Sequence, residues 1–136
     1  MNLILAILFF IIPPEDKIKI NDPWVRPSSE GMATALYFTI ENTGEEADTL
    51  YKVESDISKR IEIHETYKAG DIMGMRKVGM IVIQPISSFQ LKPGSHHIMV
   101  MKLIRDIPIG DEVEFILYFK RAGEINITAE VKKTAR

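Results

Sequence analysis

The chain contains no cysteine, which excludes disulfide bonds, thiolate zinc sites and cysteine nucleophiles. It also lacks an excess of positive charge. The formal net charge is -2, whereas nucleic-acid-binding proteins usually carry a basic patch that neutralises phosphates. A length of 136 residues, with 46% hydrophobic and 26% charged residues, is ordinary for one soluble globular domain. We therefore expect a single domain that does not bind nucleic acid. We also expect the protein to be a monomer.

No apolar run is long enough to cross a membrane as a helix, which takes about twenty residues. The longest run, Leu3–Ile12, has ten residues and is followed by Pro13-Pro14. That length is typical of the apolar part of a secretory signal. We expect residues 1–14 to be a signal peptide or, because no small-residue cleavage site follows, an N-terminal anchor. Contact with a membrane is expected only through this segment, and the location is periplasmic or otherwise extracytoplasmic.

Residues 15–136 consist of short runs of β-branched and aromatic residues separated by turn residues. In the run 32–42, Leu36, Phe38 and Ile40 alternate with residues that point to the opposite face. Turn residues such as Lys92-Pro93-Gly94 recur about every 8–12 residues, a spacing typical of all-β sandwiches and barrels. The pattern predicts an all-β domain of about eight or nine strands, and no helix after the N-terminal run.

Four side chains with soft or borderline donor atoms carry the chemistry: His64, Met75, His97 and Met99. His97 and Met99 are two residues apart on a predicted strand, so their side chains share a face. Thioethers are soft, neutral ligands that favour Cu(I), whereas zinc usually has cysteine or carboxylate beside histidine. Each residue alone also has an ordinary role, because methionine fills cores and histidine often forms surface hydrogen bonds.

The spacing of these residues resembles a known family. His64, Met75, His97 and Met99 are separated by ten, twenty-one and one residues, which resembles the H-x10-M-x21-H-x-M signature of the periplasmic copper-chaperone family called PCuAC. The stretches WVRPSSEGMATALYFTIENTG, IEIHET, MGMRKV, LKPGSHHIMVMKL and GDEV are similar to family blocks in the same order. The resemblance covers about residues 17–132.

This resemblance implies a cupredoxin-like Greek-key β-sandwich and one Cu(I) ion bound by His64, Met75, His97 and Met99. It further implies a metallochaperone that delivers copper to an acceptor protein, toward the dinuclear copper centre in subunit II of cytochrome c oxidase. A Sco-type copper chaperone is the expected companion. The chain ends without the His- and Met-rich tail of some relatives, so one copper site is expected.

Neighbouring histidine and methionine residues complicate the assignment. His96 adjoins His97 but should face the other side of the strand, so we interpret it as a non-ligand. Met101 shares the face of Met99, and Met73 shares the face of Met75, so either thioether is an alternative ligand or packs under the site.

Three other interpretations remain open at this point. An enzyme could use two histidines with Glu62 or Glu65 as a metal site, but we expect both carboxylates to lie opposite to or offset from His64, and no catalytic motif is present. A metal-free sandwich could serve as a binding module. A copper protein of the same kind could store copper or confer tolerance instead of delivering it. We expect no enzymatic activity.

Overall fold

The computed structural model describes residues 17–135, which form ten β-strands and no helix. The strands are β1 Ile18–Val25, β2 Thr34–Asn42, β3 Asp48–Glu54, β4 Arg60–Ala69, β5 Ile72–Lys77, β6 Ile81–Ile83, β7 Ser87–Gln90, β8 His96–Met101, β9 Glu112–Phe119 and β10 Gly123–Val131. The all-β prediction is confirmed, with ten strands where about eight or nine were expected. The predicted signal or anchor, residues 1–14, lies outside the described residues. Within residues 17–135, no helix has the length and apolar character needed to cross a membrane.

Hydrogen bonding joins the strands into one sheet. Nine of them follow the order β5-β4-β8-β2-β1-β10-β9-β3-β6. The tenth strand, β7, pairs with residues 39–42 of β2, beyond the part of β2 that pairs with β8. The pairing of β1 with β10 is parallel, and the other strand pairs are antiparallel. The three strands at one end of this order, β5, β4 and β8, carry the four predicted ligands.

The core shows that this sheet folds over on itself. Phe38 of β2 and Ile98 of β8 belong to the same buried cluster as Phe115 of β9 and Leu50 of β3, and each is at most 2% exposed. Strands so far apart in the hydrogen-bonded order can share one core only if the sheet curves into two facing layers. The domain is therefore a β-sandwich, as predicted.

Period-two alternation decides which side chains enter that core. On β2, Leu36, Phe38 and Ile40 point inward as predicted. On β4 and β8, Ile63 and Ile98 also point inward. The residues on either side of Ile63 and Ile98 along the chain therefore face outward, and His64, His97 and Met99 are among them.

Two glycine turns adjoin the strands that carry the predicted ligands, β4, β5 and β8. Gly70 joins β4 to β5 with a φ of 62°, and Gly94 precedes β8 with a φ of 82°. Side chains with a Cβ rarely adopt these positive φ values, so glycine is favoured at both turns. The tight turn at Gly70 makes β5 the antiparallel neighbour of β4 at the edge of the sheet.

Candidate metal centre

His64 and His97 lie directly opposite each other. They are register partners in the antiparallel pair of β4 and β8. Opposed residues in such a pair project to the same face, and the two imidazole centroids are 5.9 Å apart. The structure thus brings together two histidines that are 33 positions apart in the chain.

One nitrogen of each imidazole is buried without a hydrogen-bond partner. These atoms are Nδ1 of His64 and Nε2 of His97. The other nitrogens are occupied: His64 Nε2 lies 3.3 Å from Glu62 Oε1, and His97 Nδ1 lies 3.2 Å from the Ser95 carbonyl oxygen. Both partners are acceptors, so the contacting nitrogens carry the hydrogens and donate them. In the neutral form of each ring the orphan nitrogen therefore carries the lone pair, which is the state in which imidazole binds a metal.

Both predicted thioether ligands lie on the face of the two histidines. Met99 is two residues beyond His97 on β8 and pairs with Glu62 of β4, and its side chain is half-buried. Met75 on β5 pairs with Thr66, two residues beyond His64, and is 60% exposed. The four residues thus occupy one face of three adjacent strands. His97 is buried, His64 and Met99 are partly buried, and Met75 is open to solvent.

The alternative methionines lie on the same face but farther out. Met101 on β8 pairs with Arg60, and Met73 on β5 pairs with Lys68. Each lies two residues beyond the predicted ligand of its strand, Met99 or Met75. Both remain open as substitutes for that ligand.

His96 faces the other side of β8, as the alternation predicts. Its Nε2 lies 3.2 Å from Glu65 Oε2, and its ring meets Phe89 edge-on with centroids 5.0 Å apart. Both contacts are on the face opposite His97, so His96 does not join the pair of facing imidazoles.

The expectation that Glu62 would lie opposite to or offset from His64 is wrong. Glu62 is two residues before His64 on β4, so the strand period places both on one face. Its carboxylate contacts Nε2, on the other side of the ring from the unpartnered Nδ1. The Glu62 carboxylate is therefore placed to accept a hydrogen bond from the His64 ring and not to bind the same metal ion as Nδ1. Within residues 17–135, no cluster of three His, Cys, Asp or Glu residues is arranged to hold a metal ion.

An aromatic cluster covers His97. The Tyr37 ring lies 6.5 Å from the His97 ring and 4.7 Å from Trp24, measured between centroids. A β-bulge in β1, with Asp22 at a φ of 52°, precedes Trp24 and shifts the register of that strand. Under this cover His97 is 2% exposed.

Burial changes the protonation chemistry of this cluster. Desolvation lowers the pKa of His97 below its usual range, and the nearby imidazoles of His64 and His96 lower it further, against the hydrogen bond to Ser95. Burial also raises the pKa of Tyr37, partly offset by the Arg26 guanidinium. His97 is thus held neutral at neutral pH, and its lone pair is available.

The match to a family model extends over nearly all of the described strands. Residues 18–131 match the model described as putative lipoprotein LpqE-like. The chain belongs to the LpqE-like family. The family description and the name of one relative contain the word lipoprotein, which indicates an extracytoplasmic location.

Two curated relatives resemble this LpqE-like chain. It is 32% identical over 114 residues to the uncharacterized protein RP573 of Rickettsia prowazekii, covering 80% of this chain and 63% of that protein. It is 27% identical over 119 residues to the putative lipoprotein Lxx21020 of Leifsonia xyli, covering 86% of this chain and 70% of that protein. The chain therefore spans less than two thirds of the Rickettsia protein's length.

A solved structure links the LpqE-like fold to copper. The copper-bound PCuAC domain from PmoF2 superposes with a TM-score of 0.74 at 29% identity, covering 87% of this chain and 94% of that domain. The family resemblance and cupredoxin-like fold expected from the sequence are thereby confirmed. The H-x10-M-x21-H-x-M assignment of the ligands stays a prediction.

Proposed function

We propose that this LpqE-like protein binds one Cu(I) ion outside the cytoplasm and passes it to an acceptor protein. The observation that carries the proposal is the pair of buried, unpartnered nitrogens, His64 Nδ1 and His97 Nε2, on facing strands. Leaving a polar atom buried without a partner costs free energy, and a bound metal ion would recover it. The copper-bound PCuAC domain with the same fold supports copper as that ion.

The donor set selects the oxidation state. Two neutral imidazoles and the thioethers of Met75 and Met99 add no charge, and soft sulfur favours Cu(I) over Cu(II) or zinc. A monovalent ion in this half-buried site leaves a net charge of one, which costs less to desolvate than two. The absence of thiols also suits an oxidising compartment, where cysteines would pair into disulfides.

The difference in solvent exposure between Met75 and His97 favours transfer of the copper ion to another protein. A donor protein can release its ion readily when an incoming ligand reaches the metal before the outgoing ligand leaves. Met75 is 60% exposed on the edge strand β5, so an acceptor can displace its thioether first while His97, 2% exposed, holds the ion to the end. The chain then acts as a carrier and not as an enzyme.

The identity of the acceptor follows from the family resemblance alone. We propose delivery toward the dinuclear copper centre in subunit II of cytochrome c oxidase, beside a Sco-type chaperone. Residues 1–14 act in this proposal as the export signal or anchor. Storage or copper tolerance is the alternative role for the same site.

Metal analysis and X-ray absorption on the reduced, copper-loaded protein test the site. We expect one copper per chain, with both nitrogen and sulfur neighbours. A spectrum without sulfur neighbours would contradict the ligand set. Mixing the loaded protein with the apo copper domain of an oxidase subunit II then separates the roles, because a delivery protein loses its copper to that domain and a storage protein keeps it.

A further inference from the structure

We propose that Glu62 is a positioning residue for the copper site and selects Nδ1 of His64 as the metal-binding atom. Glu62 Oε1 lies 3.3 Å from His64 Nε2. An ionised carboxylate can only accept a hydrogen bond, so the hydrogen of the neutral ring resides on Nε2. The lone pair then resides on Nδ1, the buried atom that has no partner. This inference rests on the proposed copper function and adds a residue outside the predicted ligand set.

Glu62 is itself held in place from two strands. Its Oε2 lies 3.4 Å from Lys77 Nζ on β5, and its Oε1 lies 3.9 Å from an Arg60 guanidinium nitrogen on β4. The Glu62 side chain is 17% exposed, whereas those of Lys77 and Arg60 are 66% and 59% exposed. The two cations reach in from solvent and hold the carboxylate against the imidazole. Lys77 is also the register partner of His64, so the same strand pair aligns ring and carboxylate.

The two imidazoles are oriented by different means. His97 donates from Nδ1 to the backbone carbonyl of Ser95, which no side-chain substitution removes. His64 depends on the side chain of Glu62. The two histidines therefore differ in the atom that would bind the metal, which is Nδ1 in His64 and Nε2 in His97. Loss of the Glu62 carboxylate would let the His64 hydrogen move to Nδ1, where it would occupy the position of the metal.

Glu65 provides a matched control on the same strand. Its carboxylate contacts His96 Nε2 at 3.2 Å and Arg76 Nε at 2.6 Å, so it too joins a histidine to a cation. Glu65 lies on the opposite face of β4, however, and His96 is not one of the facing imidazoles. Removing the Glu65 carboxylate breaks its contacts with His96 and Arg76 but leaves the contact between Glu62 and His64 in place.

The first measurement is the tautomer of His64 in the metal-free protein. Ring nitrogen shifts in ¹⁵N-labelled protein, recorded well above the pH at which histidine protonates, distinguish Nε2–H from Nδ1–H. We expect Nε2–H in the wild type, in Glu62→Gln, whose amide oxygen can accept the bond, and in Glu65→Ala. We expect Glu62→Ala to lose this preference. A wild-type His64 in the Nδ1–H form, or a Glu62→Ala protein with unchanged tautomer, would overturn the inference.

The second measurement is Cu(I) affinity by competition with a Cu(I) chelator. Substitution of a group that supports a metal ligand typically weakens metal binding by about 10- to 100-fold. We expect this loss in Glu62→Ala, a much smaller change in Glu62→Gln and none in Glu65→Ala. An affinity equal to wild type in Glu62→Ala, or an equal loss in Glu65→Ala, would contradict the positioning role.

The two measurements separate this inference from the proposed function. Failure of the wild type to bind copper would defeat the function but leave the metal-free tautomer result standing. If Glu62→Ala does not fold, Glu62→Leu replaces it in both measurements with the same expected losses, because leucine is close to glutamate in size but has no acceptor oxygen.

Discussion

Met75 and Met99 supply donor atoms that need no deprotonation and carry no charge. Replacing both by alanine leaves the imidazoles in place, so we expect Cu(I) affinity to fall by at least tenfold, about 1.4 kcal/mol. Competition against a Cu(I) chelator measures the change. Met80→Ala is the control, since Met80 is 47% exposed but lies between β5 and β6, outside the three site strands. Wild-type affinity in the double variant would reject these two ligands.

The orphan nitrogen of His97 costs stability in the metal-free protein. A buried acceptor without a partner is unfavourable by about 1–3 kcal/mol, and an apolar side chain of similar size has no such atom. We expect His97→Leu to raise the free energy of unfolding of the metal-free protein by about 1 kcal/mol while weakening copper binding. Denaturant unfolding with and without Cu(I) measures both effects.

The control for this trade-off is His96→Leu. His96 Nε2 lies 3.2 Å from Glu65 Oε2, so replacing His96 breaks this contact and removes no orphan atom. We expect no gain in stability from it. A His97→Leu protein less stable than the wild type would show that packing around the ring outweighs the cost of the orphan nitrogen.

At the scale of elements, the turn between β9 and β10 is held by one buried carboxylate. Asp48, at the start of β3, is 5% exposed and accepts backbone N–H bonds from Thr49 at 2.7 Å, Arg121 at 2.8 Å and Ala122 at 2.9 Å. Asp48→Ala leaves these donors unpaired, so we expect a loss of about 2 kcal/mol or more in the free energy of unfolding. Denaturant titration measures it.

The effect of Asp48 should be confined to stability. The backbone donors that Asp48 accepts from lie in β3 and in the turn between β9 and β10, and none belongs to β4, β5 or β8, so Cu(I) affinity should match the wild type. Asp71→Ala, at an exposed turn, is the control and should change stability by less than about 0.5 kcal/mol. An equal cost for both variants would refute the role assigned to Asp48.

At the scale of the whole molecule, binding to the folded state alone raises stability by mass action. With free Cu(I) at a hundred times the dissociation constant, the gain is about 2.7 kcal/mol. We expect the wild type to unfold at a higher temperature when Cu(I) is added under reducing, oxygen-free conditions, and His64→Ala,His97→Ala to show no shift. A wild-type transition independent of Cu(I) would favour the metal-free binding module.

Much of this molecule could be predicted from local patterns. Alternation on β2 assigned Leu36, Phe38 and Ile40 to the core, and alternation on β8 separated His96 from His97. The same rule places Glu62 beside His64, since the two are two residues apart on one strand. The expectation that Glu62 would lie opposite to or offset from His64 was wrong because it did not apply this period-two rule to the pair.

The sequence by itself determined the strand pattern, the absence of thiols and the spacing of four soft donors. Those properties are local, because period-two alternation and turn residues act over a few positions. Only the tertiary structure decided that β4 pairs with β8 in the register that opposes His64 and His97. It also decided that the Tyr37 ring, which packs against Trp24, lies beside the His97 ring. Cross-strand register joins residues far apart in the chain and depends on how the whole sheet curves around its core, so no short stretch of sequence contains it.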